Sequence, residues 1–126
     1  GNENRLFLDM FMMLMRLAYM RKIKDLKKWS DAAASYGREK QKRMLKYFIH
    51  LIRENFVYNF QNPELNYMTM EEEEFSKNFA RFINEANVVE LKELFDRGIR
   101  DVSQNANPKI MFFDICLKTI VLLIQK

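Results

Sequence analysis

Apolar residues recur every three or four positions along most of this 126-residue chain, and few residues interrupt the pattern. The chain contains only three glycines and two prolines. A β-rich fold needs a turn about every 8 to 12 residues, and turns depend largely on those two residue types. Leu, Met, Phe, Lys and Glu dominate instead, which favours helices. The pattern therefore predicts an all-α protein, a single compact bundle of about five helices.

Spacing and caps divide the first half of the chain into three segments. They are a helix over residues 4–28, a short helical turn over 30–36, and a helix over 38–60. Ser30 or Asp31 is the predicted N-cap of the short turn, and Gly37 is its predicted stop. Asn62-Pro63 then indicates a turn that ends the third segment.

The second half carries stronger helix-start signals. Thr69 and Glu72 match the capping box, in which each side chain satisfies the other residue's free backbone amide. Phe75, Phe79, Phe82 and Ile83 follow at helical spacing, and then Asn84 or Asn87 should cap the next helix. Asn107 and Pro108 are a good N-cap and first-turn residue for a final helix.

Two apolar stretches, residues 6–20 and 110–124, invite comparison with membrane spans. Twelve of the fifteen residues in the second stretch are apolar. A span needs about 20 apolar residues, and Asp9, Arg16, Asp114 and Lys118 would place charges in the lipid. We therefore expect no membrane insertion, and interpret the last stretch as a central bundle helix. On a helical wheel Asp114, Lys118 and Gln125 form a narrow polar stripe on it.

No group of residues indicates catalysis. The single histidine, His50, has no partner at metal-ligand spacing except Glu54, and the four carboxylates of residues 71–74 fit the first turn of a helix. Phosphate-binding glycine motifs and nucleophile elbows are absent from the sequence. Cys116 is the only cysteine, which excludes an internal disulfide and suits a reducing cytosol. We expect a non-enzymatic, cytoplasmic domain that uses no cofactor, no metal and no small-molecule substrate.

Positive charge is concentrated in residues 21–46, called the basic segment below. It holds ten basic and three acidic residues, a net charge of +7 against +4 for the whole chain, so the remainder carries −3. The segment predicts either a contact with nucleic acid or an acidic partner, or a solvated corner whose lysine stems cover apolar surface. The candidate residues for the contact are Lys22, Lys24, Lys27, Lys28, Arg38, Lys42 and Arg43.

Methionine is concentrated near the beginning of the chain, with five of nine between residues 10 and 20. Methionine-rich helices form either cores or adaptable protein interfaces. The apolar stripe here is too wide for one neighbouring helix, which predicts either burial against more than one neighbouring helix or partial contact with another chain. The candidate interface residues are Met10, Met13, Leu17, Met20, Ile110, Val121 and Leu122.

Three stretches together resemble one family. They are MLMRLAYMRKIKDLKKWSDAAASYGREKQKRMLKYFIHLIRENFVYNF, PELNYMTMEEEEFSKNFARFINEANV and NPKIMFFDICLKTIVLLIQ. They are similar to the C-terminal collar region of the delta-prime subunit of the bacterial DNA polymerase III clamp loader. The resemblance covers almost the whole chain, and it rests on extended similarity rather than on a short motif.

The resemblance implies a collar domain without catalytic residues of its own. In that family the collars of five subunits form a ring, while a AAA+ module and a lid domain precede the collar. The family's phosphate-binding loop, zinc-binding cysteines and arginine finger belong to those preceding parts. We therefore expect residues 1–126 to be one oligomerisation domain from the end of a longer subunit, with Gly1 as a tag remnant. Its expected partners are other clamp-loader subunits, and the alternative is a helical nucleic-acid-binding domain that uses the basic segment.

Overall fold

The computed structural model describes residues 2–125, and Gly1, with its predicted origin as a tag remnant, lies outside them. Six α-helices account for most of the described chain. They are α1 (Asn2–Met20), α2 (Ile23–Ala34), α3 (Arg38–Tyr58), α4 (Met70–Phe79), α5 (Val88–Ser103) and α6 (Pro108–Leu123). Two 3₁₀ turns, Pro63–Leu65 and Ala80–Phe82, flank α4. The prediction of an all-α bundle is confirmed, with six helices instead of about five.

The predicted first helix over residues 4–28 is wrong, because the chain turns at Arg21. Arg21 has a φ of 56°. The Arg21 amide donates to the Ala18 carbonyl at 3.1 Å, and the Lys22 amide donates to the Leu17 carbonyl at 2.9 Å. This pair of bonds is a Schellman motif, with arginine where glycine is usual. The turn folds α2 back against α1 and α6, where Leu26 and Trp29 become buried.

The predicted short turn over residues 30–36 is also wrong, because α2 runs unbroken through it to Ala34. Ser30 is therefore not an N-cap. It is buried inside α2, and its hydroxyl donates to the Leu26 carbonyl at 2.9 Å. Gly37 does interrupt the helices as predicted, with a φ of 85° before α3 begins.

Two of the predicted helix starts are confirmed. Thr69 and Glu72 form both bonds of the capping box at α4, and the Asn107 side chain accepts from the Lys109 and Ile110 amides at α6. Asn87 precedes α5, but its side chain does not cap that helix. It bonds elsewhere, because the end of α6 lies beside it.

The core lies where α1, α3, α5 and α6 meet, and aromatic rings fill it. Phe48 packs edge-on against Phe11 and Phe95, with centroids 5.3 and 5.5 Å away. Gly98 allows α5 to lie close to α3 and α6. A Cβ there would lie 3.1 Å from methyl groups of both Leu45 on α3 and Ile115 on α6. These contacts hold α6 in place along its inner side, and so determine which of its residues face outward.

Candidate interaction surfaces

Helix α6 is apolar on two sides, and only one of them is in the core. Its inner side buries Met111, Phe112, Ile115, Cys116, Thr119, Leu122 and Leu123 against α1, α2 and α5. On the other side Ile110, Leu117, Val121 and Ile124 are 70%, 38%, 53% and 57% exposed. We call these four residues the outer α6 face. Such a row of exposed branched side chains is a feature of interfaces more than of free surfaces.

The outer α6 face has a charged flank and an apolar flank. Lys118 and Asp114 form an ion pair at 2.8 Å, with both side chains about half exposed. Phe113 and Ile120 lie on the other flank, partly buried against the core. A groove of about 310 Å³ lies along the first half of the helix, between Lys27 of α2 and Leu117.

The structure places the predicted interface residues in different environments. Met13, Met20, Ile110 and Val121 are exposed, and Leu17 is half-buried. The prediction is wrong for Met10 and Leu122, which are 6% and 8% exposed. Met10 lies in the core, where its carbonyl accepts from the Trp29 indole at 2.9 Å. Leu122 belongs to the inner side of α6.

Sequence reasoning missed Leu117 and Ile124, although a signal for them exists. Ile110, Leu117 and Ile124 are separated by seven residues each, and Phe113 and Ile120 stand three residues after the first two. That is the heptad spacing of a helix that packs along a second helix. Because the same helix also buries its inner side, its overall apolar content hides this second pattern.

The basic segment does not form one continuous positive surface. Lys27 pairs with Asp31 at 2.8 Å, Lys42 with Glu39 at 2.9 Å, and Arg43 with Glu3 at 2.8 Å; Arg38 bonds to the Asn105 side chain. The hydrogen bond from Lys27 lowers the pKa of Asp31, and the one from Arg43 lowers the pKa of Glu3. Four of the seven candidate residues are therefore engaged within the chain.

The remaining candidates lie at the opposite end of α1 from Arg43. Arg43 contacts Glu3 in the first turn of α1, whereas Lys22 lies two residues after the end of that helix. A helix of 19 residues is about 28 Å long. Lys22, Lys24 and Lys28 are exposed around that far end and along α2. A charge run that is continuous in sequence is thus split in space.

A second apolar recess lies between α1 and α4. It has a volume of about 490 Å³ and includes Met12, Tyr19, Phe75 and Phe82 among its lining residues. Tyr19 packs on Phe82 at 4.9 Å between centroids. The Arg16 guanidinium stands over the Phe75 ring at 5.9 Å. The recess is therefore partly filled by its own side chains.

The titratable residues that sequence analysis considered have structural roles. Glu54 is buried and accepts from the Tyr67 amide and from Arg53. Glu72 bonds to the Tyr47 hydroxyl, and burial together with this bond raises the pKa of Tyr47. The His50 ring lies tilted beside the Tyr47 ring, at 6.1 Å between centroids.

Cys116 is buried, and its sulfur lies 3.4 Å from the Ser30 hydroxyl oxygen. Burial raises the pKa of the Cys116 thiol to about 11. The thiolate is the reactive form of cysteine, so this residue is protected both by its position and by its protonation. It acts as a small apolar side chain in the contact between α2 and α6.

Residues 2–125 contain no group of three or more His, Cys, Asp or Glu side chains arranged to hold a metal ion. Within the same range, every helix is too short or too polar to cross a bilayer. Comparison of the chain with protein-family models, with curated proteins and with solved structures finds no match in any of the three.

Proposed function

We propose that this chain is a non-catalytic oligomerisation domain, equivalent to the collar of the clamp-loader subunits that its sequence resembles. In that role it joins its neighbours in a cytoplasmic clamp loader while other modules act on the sliding clamp and on ATP. The observation that carries the proposal is the outer α6 face. It is a row of apolar side chains, held on a helix whose opposite side is fixed in the core.

Energetic reasoning supports an interface at this position. Burying an exposed Ile or Val side chain contributes about 1.5 to 3 kcal/mol before the cost of association is counted. Three of the four residues of the outer α6 face lie on one rigid helix and the fourth, Ile124, is its C-cap, so little conformational entropy is lost when a partner binds. Leaving the same four side chains in water gives the isolated chain no benefit.

Binding to the other clamp-loader subunits tests the proposal. Calorimetric titration or size-exclusion chromatography with light scattering should detect a complex with those subunits. Val121→Glu should weaken it at least about tenfold, because a carboxylate would be desolvated against an apolar partner. Val89→Glu is a matched control, because Val89 is 62% exposed on α5 and outside the outer α6 face.

Two results would refute the oligomerisation role. One is a complex that V121E and V89E weaken equally, and the other is the absence of any complex with the wild-type chain. Binding or hydrolysis of ATP by the purified chain would likewise contradict a non-catalytic role. Circular dichroism of both variants should first show unchanged helix content, so that a loss of binding reports on the surface.

The alternative, nucleic-acid binding through the basic segment, stays a prediction. Lys22, Lys24 and Lys28 favour it, because they are exposed and pair with no carboxylate among the described residues. Titration with single-stranded and primed DNA at several salt concentrations decides the matter. Three phosphate contacts to a single strand give a log-log slope of about −2. An affinity for DNA that does not change with salt concentration, or no detectable binding, would exclude this function.

A further inference from the structure

The outer α6 face has a nearly symmetric sequence about Leu117. Ile110 and Ile124 stand seven residues before and after it, and Phe113 and Val121 stand four before and after it. If two copies of α6 lie antiparallel with Leu117 at the two-fold axis, each isoleucine meets the other isoleucine of the partner copy. At the height of Phe113 the second copy presents Val121, which lies on the other side of the line through Ile110, Leu117 and Ile124. An isologous dimer needs a patch that complements itself in this way.

The charges favour the same arrangement. At about 100° per residue, Asp114 and Lys118 lie on one flank of the line through Ile110, Leu117 and Ile124, while Phe113 and Ile120 lie on the other. A two-fold axis across antiparallel helices keeps like flanks together. Lys118 of the second copy then lies level with Cys116, two residues from Asp114, or about 3 Å along the axis. The two Lys118 side chains are equally close to each other, and the two contacts between Asp114 and Lys118 across the axis outweigh that single repulsion.

A parallel pair lacks this complementarity. Its two-fold axis runs along the helices, so the flank with Asp114 and Lys118 faces the flank with Phe113 and Ile120. Each charged pair would then lose water to an apolar neighbour, which is unfavourable. Parallel helices also align their macrodipoles, whereas antiparallel helices oppose them.

We infer that, without its other partners, this chain forms a two-fold symmetric dimer through antiparallel pairing of the outer α6 faces, centred on Leu117. The inference rests on the proposed function, since it names a second copy as one occupant of the same surface. The other loader subunits would then compete with self-association for this face. Sedimentation equilibrium from about 10 µM to 1 mM chain should show a reversible monomer–dimer transition, across the weak range expected for a small interface.

Charge reversal tests the contact across the axis. Asp114→Lys makes this flank doubly positive, and Lys118→Asp makes it doubly negative. Each variant alone should dimerise at least about tenfold more weakly than the wild type, because like charges then meet. An equimolar mixture of the two should associate at least as tightly as the wild type. Asp96→Lys is the matched control, because it disrupts a comparable exposed pair with Lys92 on α5 and should leave dimerisation unchanged.

Cysteine cross-linking tests the direction of the helices. Leu117→Cys places two thiols at the axis and should give a covalent dimer under mild oxidation. Ile124→Cys should not, because antiparallel pairing separates the two positions by about 21 Å along the axis. The buried native Cys116 provides a low background.

The possible results separate this inference from the proposed function. A wild-type chain that is monomeric at 1 mM, a mixture of charge variants that does not associate, or cross-linking through position 124 and not 117 would overturn the inference. If V121E still abolishes binding to the other loader subunits in that case, the oligomerisation role stands without self-association.

Discussion

Asn87→Ala should be among the most destabilising polar substitutions in this protein. Asn87 is 0% exposed and joins two parts of the chain. Its side-chain nitrogen donates to the Phe82 carbonyl at 2.8 Å and to the Leu122 carbonyl at 3.0 Å. Its side-chain oxygen accepts from the Asn84 amide at 3.0 Å. One residue therefore fixes both the turn before α5 and the end of α6.

The expected loss of stability follows from those three bonds. Each hydrogen bond contributes about 1 kcal/mol net, and alanine leaves the part-buried Phe82 carbonyl and Asn84 amide without this partner. The Leu122 carbonyl keeps its bond from the Gln125 amide at 3.2 Å. Alanine also leaves a small cavity. We therefore expect the free energy of unfolding to fall by about 3 kcal/mol, which lowers Tm by roughly 10 to 15 °C in a domain of this size.

Urea denaturation followed by circular dichroism measures the change. Asn87→Asp sharpens the test, because it keeps the shape but turns an oxygen toward two carbonyl oxygens. It should be at least as destabilising as N87A. Asn84→Ala is the control, because both bonds of its side chain, to the Gln125 carbonyl and from the Ala86 amide, are exposed. It should cost less than about 1 kcal/mol. An N87A variant within 1 kcal/mol of the wild type, with an unchanged m-value, would refute this account of the buried amide.

Three further predictions concern residues outside the proposed interface. Arg21→Gly should raise the free energy of unfolding by about 0.5 to 1 kcal/mol in urea denaturation, since glycine adopts the positive φ without strain, whereas Arg21→Val should lower it. Thr69→Ala should lower it by about 1 kcal/mol, because the α4 capping box is lost. Cys116 should react with a thiol reagent at pH 8 only when urea unfolds the chain. The free energy of unfolding should also fall as the pH rises from the usual cysteine pKa toward about 11, because the thiol ionises in the unfolded chain before it does in the folded chain. Cys116→Ala should make this dependence of stability on pH shallower. Rapid labelling of the folded protein would contradict the buried position.

Local signals in the sequence predicted the helices that begin with distinct caps. The capping box at Thr69 and the Asn107-Pro108 start depend on contacts within four residues, so the local sequence is enough to predict these two helix starts. The break at Arg21 is different. No glycine or proline marks it, and the left-handed residue carries a cost of about 1 to 2 kcal/mol. Burial of Leu26 and Trp29 offsets that cost, and only the folded chain shows it.

Ser30 and Asn87 show the same limit for polar residues. Both are residue types that cap helices, and in both the side chain is buried and bonds elsewhere. The partner of Asn87 is the Leu122 carbonyl, 35 residues away. Local propensity cannot distinguish a helix cap from a buried side chain that bonds to another helix, because the hydrogen-bond partner lies far away in the sequence.

The sequence predicted the candidate surfaces only in part, because the exposure of a side chain also depends on segments that are distant in the sequence. Ile110 and Val121 were correctly expected at the surface, but Leu122, one residue further, faces inward. A helix that is apolar on nearly all sides gives its own sequence little means to tell the core side from the outer side. In the basic segment, the fold separates residues that are neighbours in sequence. Arg43 and Lys22 accordingly stand at opposite ends of α1.

The two sides of α6 make stability and association separable in this protein. Substitutions at Ile115 or Phe112 remove core contacts, so they should weaken both folding and any complex. Substitutions at Leu117 or Val121 change exposed side chains, and should weaken association while the free energy of unfolding of the monomer stays within about 0.5 kcal/mol. Because the rigid core fixes the direction of the outer side chains, the row that meets a partner needs no rearrangement of the helix. Loss of binding only in variants whose fold also loosens would contradict the preformed interface that we propose for α6.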